Sequence, residues 1–190
     1  MQPLAWPRRN LQARFPELHD RIELIETDGS LRELGEQQFD VMISKDSFEH
    51  YDDPESFVSV LTRFLAPGGS FAVGFGPLWK GPTGGHIDFM TSVPWAHLMF
   101  DEATIMAERR RFRPAENARS FSEVRGGLNK MTLARFESIM SASGLRPAYF
   151  ATNVSSNPVV RVMDVASRVP PLREYFTANV YSVWQKPAAS

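Results

Sequence analysis

Residues 39–44 (FDVMIS) form a near-continuous apolar run of strand length, and residues 70–76 (SFAVGFG) form a second. Such runs read as strands covered on both faces. Between them Phe57, Val60, Leu61, Phe64 and Leu65 recur at the spacing of one helical face. Asp53 is placed to cap that helix, Pro54 suits its first position, and Pro67, Gly68 and Gly69 stop it and turn the chain. Strand, polar loop, helix, turn and strand make one parallel βαβ unit.

The flanking pattern is less regular. Leu11, Phe15 and Leu18 read as the tail of a helix over residues 8–14, interrupted by Pro16, and residues 22–25 (IELI) as a short strand. Residues 30–35 make a turn. Residues 77–131 change character, being rich in Gly, Pro, Trp and charge, and read as an inserted lid or substrate-binding segment with one or two helices, the best over 101–110. After it come a capped helix over 132–143 with Leu133, Phe136 and Met140 inward, and a strand over 145–152. A helix started by Asn157 and Pro158 then carries Val159, Val162, Met163 and Ala166 on one face, and an alternating, aromatic-rich strand follows over 175–186.

Length and composition narrow this to one soluble α/β domain: 190 residues, 43% hydrophobic. Twenty-one basic against 22 acidic residues leave a net charge of −1, so no global field favours nucleic acid or an anionic membrane. The absence of cysteine removes disulfides, thiolate metal sites and thiol nucleophiles. With no apolar run of spanning length and no signal-peptide pattern in residues 1–10, the expected location is cytoplasmic.

The element order, Asp28-Gly29 after a strand, the loop Lys45-Asp46-Ser47-Phe48-Glu49-His50-Tyr51-Asp52-Asp53-Pro54 and Leu65-Ala66-Pro67-Gly68-Gly69 before the next strand together resemble class I S-adenosylmethionine-dependent methyltransferases. The resemblance covers residues 8–76 and 132–187. It implies a Rossmann-like sheet with a C-terminal antiparallel strand, and the cofactor S-adenosylmethionine. Asp28, with Gly29, would meet the adenine, and Lys45, Asp46 and Ser47 would lie against the cofactor's methionine moiety. The family's glycine-rich loop should precede Ile22, but residues 1–21 contain no glycine. The implied fold is therefore a partial, N-terminally incomplete sheet lacking its first two strands, with the insertion at 77–131 and exposed strand edges that leave self-association open.

Asp46, Glu49 and His50 place two carboxylates and an imidazole within five residues, a set that could converge on magnesium or manganese. His50 could equally act as a general base or pack structurally, because imidazole exchanges protons near neutral pH. His86, in Gly84-Gly85-His86, is a second candidate base or simply a loop histidine, whereas His97, among apolar residues, reads as a core or pocket-wall histidine. Trp79, Phe89, Trp95 and Phe100 would wall a pocket or form the insertion's own core. Arg109, Arg110, Arg111 and Arg113 read as a solvated charged face, with a phosphate-bearing substrate as the alternative. The resemblance implies methyl transfer to a small-molecule hydroxyl, of a sugar or another metabolite. A non-catalytic or partner-dependent methyltransferase-like chain stays open beside it, as does, more weakly, a nucleotide-binding oxidoreductase.

Overall fold

A computed structural model describes residues 5–27 and 30–188, without the side chains of residues 5, 6 and 19. The chain divides into two compact units, Met1–Gln37 and Gln38–Ser190. In the first, helix α1 (Ala5–Arg14) is longer than its sequence pattern suggested and ends just before Pro16. The run 22–25, expected as a strand, is irregular, and Ile22 and Ile25 are 41% and 37% exposed. A four-residue run becomes a strand only where a partner completes its ladder, and none of the described residues pairs with it. Instead Ile22 and Leu24 line a groove with Leu11.

The second unit holds a four-stranded sheet. Strand β1 (Phe39–Lys45) leads through helix α2 (Pro54–Phe64) to the parallel strand β2 (Leu65–Phe75). Helices α3 (Ala96–Met99) and α4 (Glu102–Phe112) lie in the insertion, and helix α5 (Leu133–Ala142) follows it. Strand β3 (Arg146–Thr152), helix α6 (Pro158–Ser167) and strand β4 (Val180–Gln185) close the chain, and the strand order is β1-β2-β4-β3, with β4 antiparallel to both neighbours.

Local signals set these elements. The Asp53 carboxylate accepts from the Ser56 backbone N–H at 3.0 Å, capping α2, and the Thr132 hydroxyl and Asn157 side chain cap α5 and α6 in the same way. Around Pro67-Gly68-Gly69 the register jumps from Phe39↔Leu65 to Val41↔Ser70, so the turn is accommodated as a bulge in β2, with Gly68 in the left-handed region.

One face of the sheet packs on α2 and α5 through Phe48, Leu61, Phe71, Val73, Phe75, Phe136, Met140 and Trp184. The insertion has its own core of Ile87, Ile105, Met106, Phe121, Val124 and Leu128. Three expectations fail in this unit. β1 is covered on one face only, with Val41 60% and Ile43 74% exposed, and its outer edge pairs with no described strand. α6 buries Met163 and Ser167 and turns Val159 and Val162 to solvent, so its apolar stripe is only half used. The last strand starts at Val180 rather than 175, because the Asn153 side chain takes the Phe176 carbonyl and the Ala178 N–H and holds that stretch as a loop. No helix among the described residues is long and apolar enough to cross a membrane.

Candidate active site

The loop after β1 is held from both sides. Phe48 is fully buried, stacked within 5.3 Å of Phe75 and 5.0 Å of Phe136, so the hydrophobic core fixes the middle of the loop. The end of the insertion fixes its rim. Asn129 donates from its side chain to the Phe48 and Tyr51 carbonyls at 2.8 and 2.9 Å, and from its backbone to the Glu49 carbonyl at 3.0 Å. Ser44 and Tyr51 complete the loop with a 2.9 Å hydroxyl–hydroxyl bond.

His50 hangs from this frame. Its Nδ1 lies 2.5 Å from the Gly127 carbonyl oxygen, which can only accept. Nδ1 therefore carries the proton in the neutral ring, and Nε2 holds the lone pair. Gly126 and Gly127 both have left-handed φ values, +90° and +67°, which bend the insertion so that this carbonyl meets the ring.

His86 faces His50 edge-on, ring centroids 5.6 Å apart, and both line a pocket of about 200 Å³ with Asp88, Phe89, Arg109, Arg113 and Arg125. The His86 Nε2 is buried without a hydrogen-bond partner. Burial pushes the His86 pKa down, and the neighbouring His50 adds to this. His86 also sits at φ +49°, a backbone state that β-carbon-bearing residues rarely adopt.

The other expected residues separate. Asp46 is exposed, also at positive φ, and paired with Lys45. Ser47 donates to the Lys45 carbonyl at 2.8 Å. Glu49 is 3% exposed with one carboxylate oxygen unpartnered, and burial pushes its pKa up despite backbone hydrogen bonding at Glu49 and Gly76 and the nearby His50. Asp46, Glu49 and His50 do not converge: among the described residues no group of three His, Asp or Glu side chains is arranged to hold a metal ion. Asp46 stands exposed before the 3-10 turn Phe48–His50, within which Glu49 is buried and His50 meets the Gly127 carbonyl of the insertion. The sequence-stretch Asp28-Gly29 lies outside the described residues.

The insertion resolves the remaining alternatives. His97 is buried, with Nε2 2.5 Å from the Trp79 carbonyl, and is structural. Trp79 stacks on Phe121 and His97 in the insertion's core, while Phe100 lines a separate apolar cavity of about 430 Å³ with Ile87, Met90 and Ile105. The arginine run is a solvated face only in part: Arg111 and Arg113 are exposed, Arg110 is half-buried and Arg109 is buried. Arg109 is 3% exposed, pairs with Glu116 at 2.8 Å and donates to the His86 carbonyl at 3.2 Å, and Arg113 lies 3.9 Å over the Phe89 ring. Sequence reasoning missed Gly127, Asn129 and Arg125, although the Gly126-Gly127 pair was a visible turn signal.

A family profile described as a methyltransferase domain matches residues 3–73. No curated protein sequence matches the chain. Among solved structures, the [4+2]-cyclase SpnF is similar at 14% identity and a TM-score of 0.52, with 93% of this chain and 61% of that one covered. An O-methyltransferase family protein from Burkholderia thailandensis is similar at 12% identity and a TM-score of 0.52, covering 97% and 41%. Geranyl diphosphate C-methyltransferase from Streptomyces coelicolor A3(2), solved with Mg²⁺, geranyl diphosphate and S-adenosyl-L-homocysteine, is similar at 12% identity and a TM-score of 0.50, covering 94% and 59%. The chain thus spans less than two thirds of the length of each of these relatives.

Proposed function

We propose that this chain, whose residues 3–73 match a methyltransferase domain, is a class I S-adenosylmethionine-dependent methyltransferase that methylates a hydroxyl of a small molecule at the His50–His86 pocket. The observation that carries the reading is the Gly127 carbonyl on His50 Nδ1, which in the neutral ring makes Nε2 the acceptor of a residue that lines the pocket. A base must lie within hydrogen-bond reach of the hydroxyl and hold its lone pair in the right place before pKa matters. His86 would orient the acceptor through its unpartnered Nε2. When bound, the cofactor supplies the electrophilic methyl group, and the protein supplies position and a proton acceptor.

The fit to that cofactor is partial. Lys45, Asp46 and Ser47 stand at the carboxyl end of β1, where ligands of open α/β sheets bind. Residues 1–21 contain no glycine and so supply no glycine-rich loop for the cofactor's other end. Magnesium has no support in the arrangement of Asp46, Glu49 and His50.

A second reading, a partner-dependent or non-catalytic methyltransferase-like chain, is favoured by the outer edge of β1, which pairs with no described strand and would also serve self-association. Calorimetry with S-adenosylmethionine separates the two: micromolar affinity supports the first reading, and no binding supports the second. With cofactor bound, transfer of a labelled methyl group to a panel of sugars and other hydroxyl metabolites tests the chemistry. His50→Gln is expected to slow transfer by about 10²–10⁴-fold. An unchanged rate in that variant would remove His50 as the base. Either reading is consistent with a cytoplasmic protein.

A further inference from the structure

We infer that the pocket binds a small oxyanion, so that the methyl acceptor carries a phosphate or carboxylate group beside the hydroxyl; this rests on the reading above. Three guanidinium groups line or border the pocket, those of Arg109, Arg113 and Arg125. One carboxylate, Glu116, is shared by Arg109 at 2.8 Å and Arg113 at 3.1 Å. Asp88 is the other acidic group of the pocket, so three positive charges meet two negative ones and a single positive charge is left over. Arg125 makes no hydrogen bond or ion pair among the described residues and is exposed at the rim, free to close on a ligand.

The interior supplies a second and independent sign. The His86 Nε2 is removed from water without a partner, and a buried polar nitrogen in that state is costly unless a ligand or water meets it. The same ring is held at positive φ by its backbone, and Arg109 fixes that backbone through the His86 carbonyl. Arg109 and Arg113 are themselves fixed on the Phe89 ring, at 5.0 and 3.9 Å from its centroid, so the cationic wall is preorganised. About 200 Å³ holds an oxyanion together with a few carbons of an acceptor and excludes a bulky ligand. A cation would meet the surplus positive charge, and an apolar group would leave His86 unpaired, which is why the oxyanion is the class selected.

The test uses the full chain and inorganic phosphate. Phosphate is titrated while the imidazole resonances of the histidines are followed by NMR, with chloride at matched ionic strength as the control. Saturable shifts of His50 and His86, with His97 unmoved, are expected. Arg125→Ala should weaken phosphate by about tenfold or more, as loss of a charge-assisted bond does. Because Arg125 is exposed, the variant should keep the wild-type His97 resonance and circular dichroism. Equal shifts with chloride, or unchanged phosphate affinity in Arg125→Ala, would overturn the inference. The measurement needs neither cofactor nor methyl transfer. A chain that fails to bind phosphate yet still methylates through His50 loses the oxyanion site alone, and one that binds phosphate without methylating any acceptor retains the site and loses the methylation reading.

Discussion

Asn129 is the residue whose removal should most directly loosen the loop that carries His50. Its side-chain nitrogen donates to the Phe48 carbonyl at 2.8 Å and the Tyr51 carbonyl at 2.9 Å, both in partly buried surroundings. Alanine there leaves both carbonyls without this donor, and each bond is worth about 0.5–1.5 kcal/mol net, more where the abandoned group stays buried. The Asn129 side-chain oxygen is itself buried and unpartnered, so deleting it recovers part of that loss. The backbone N–H to the Glu49 carbonyl survives the substitution. The balance is a destabilisation of about 2 kcal/mol, and for a unit of this size a fall in Tm of roughly 4–8 °C. Asn129→Asp sharpens the point, since it keeps the shape but turns donors into acceptors opposite two carbonyls, and it should be worse than alanine.

Urea unfolding followed by fluorescence measures this, with the shift in midpoint at constant m-value giving the change in stability. A loss below about 0.5 kcal/mol for Asn129→Ala, or an aspartate variant as stable as the alanine one, would refute the clamp.

Two further outcomes follow from buried charge and exposed edge. Burial raises the Glu49 pKa in the folded chain, so the folded state holds its proton where the unfolded state has lost it. Stability from this group is full below the ordinary glutamate pKa and declines as pH rises through the raised value; Glu49→Gln should flatten that part of a stability–pH curve, and an unchanged curve would contradict the assignment. Ile43, 74% exposed on β1, whose outer edge pairs with no described strand, should make the chain prone to edge association, so Ile43→Lys is expected to lower concentration-dependent light scattering with little change in Tm, and equal scattering would discount the edge.

The fold was legible where the signal is local. The Asp53–Pro54 start of α2, the Thr132 cap of α5 and the apolar strand at 39–44 appear within a residue of the expected places, whereas the strand expected over 70–76 begins at Leu65 and runs through the expected turn at Pro67-Gly68-Gly69. The errors lie where local pattern says only what could be buried. An apolar run such as FDVMIS is compatible with cover on both faces, but whether a second layer exists depends on other parts of the chain, and Val41 and Ile43 stand exposed. The same holds for Val159 and Val162 on α6, whose helical spacing was read correctly and whose burial was not.

The site divides along the same line. The chemistry-bearing groups, His50 and His86, are side chains and can be picked from sequence, and they do share one pocket. What sets their chemistry is not written beside them. His50 is defined by a backbone carbonyl 77 residues away, and a carbonyl is offered by every residue alike, so only the folded path of Gly126-Gly127 singles it out. The arginine run was read correctly for Arg111 and Arg113, which are exposed, and not for Arg109. Four basic residues in five positions look solvated when counted as charge, yet Glu116, just beyond them, pairs with both Arg109 and Arg113, and Arg109 buries its guanidinium against the His86 carbonyl. A triad such as Asp46, Glu49 and His50 shows the converse: closeness in sequence suggested convergence, and the turn of the backbone through the loop sent the three side chains to three different surroundings. The His50 ring, with Nδ1 tied to the Gly127 carbonyl, is where the end of the insertion meets the loop of the βαβ unit, a contact that joins residues 77 positions apart.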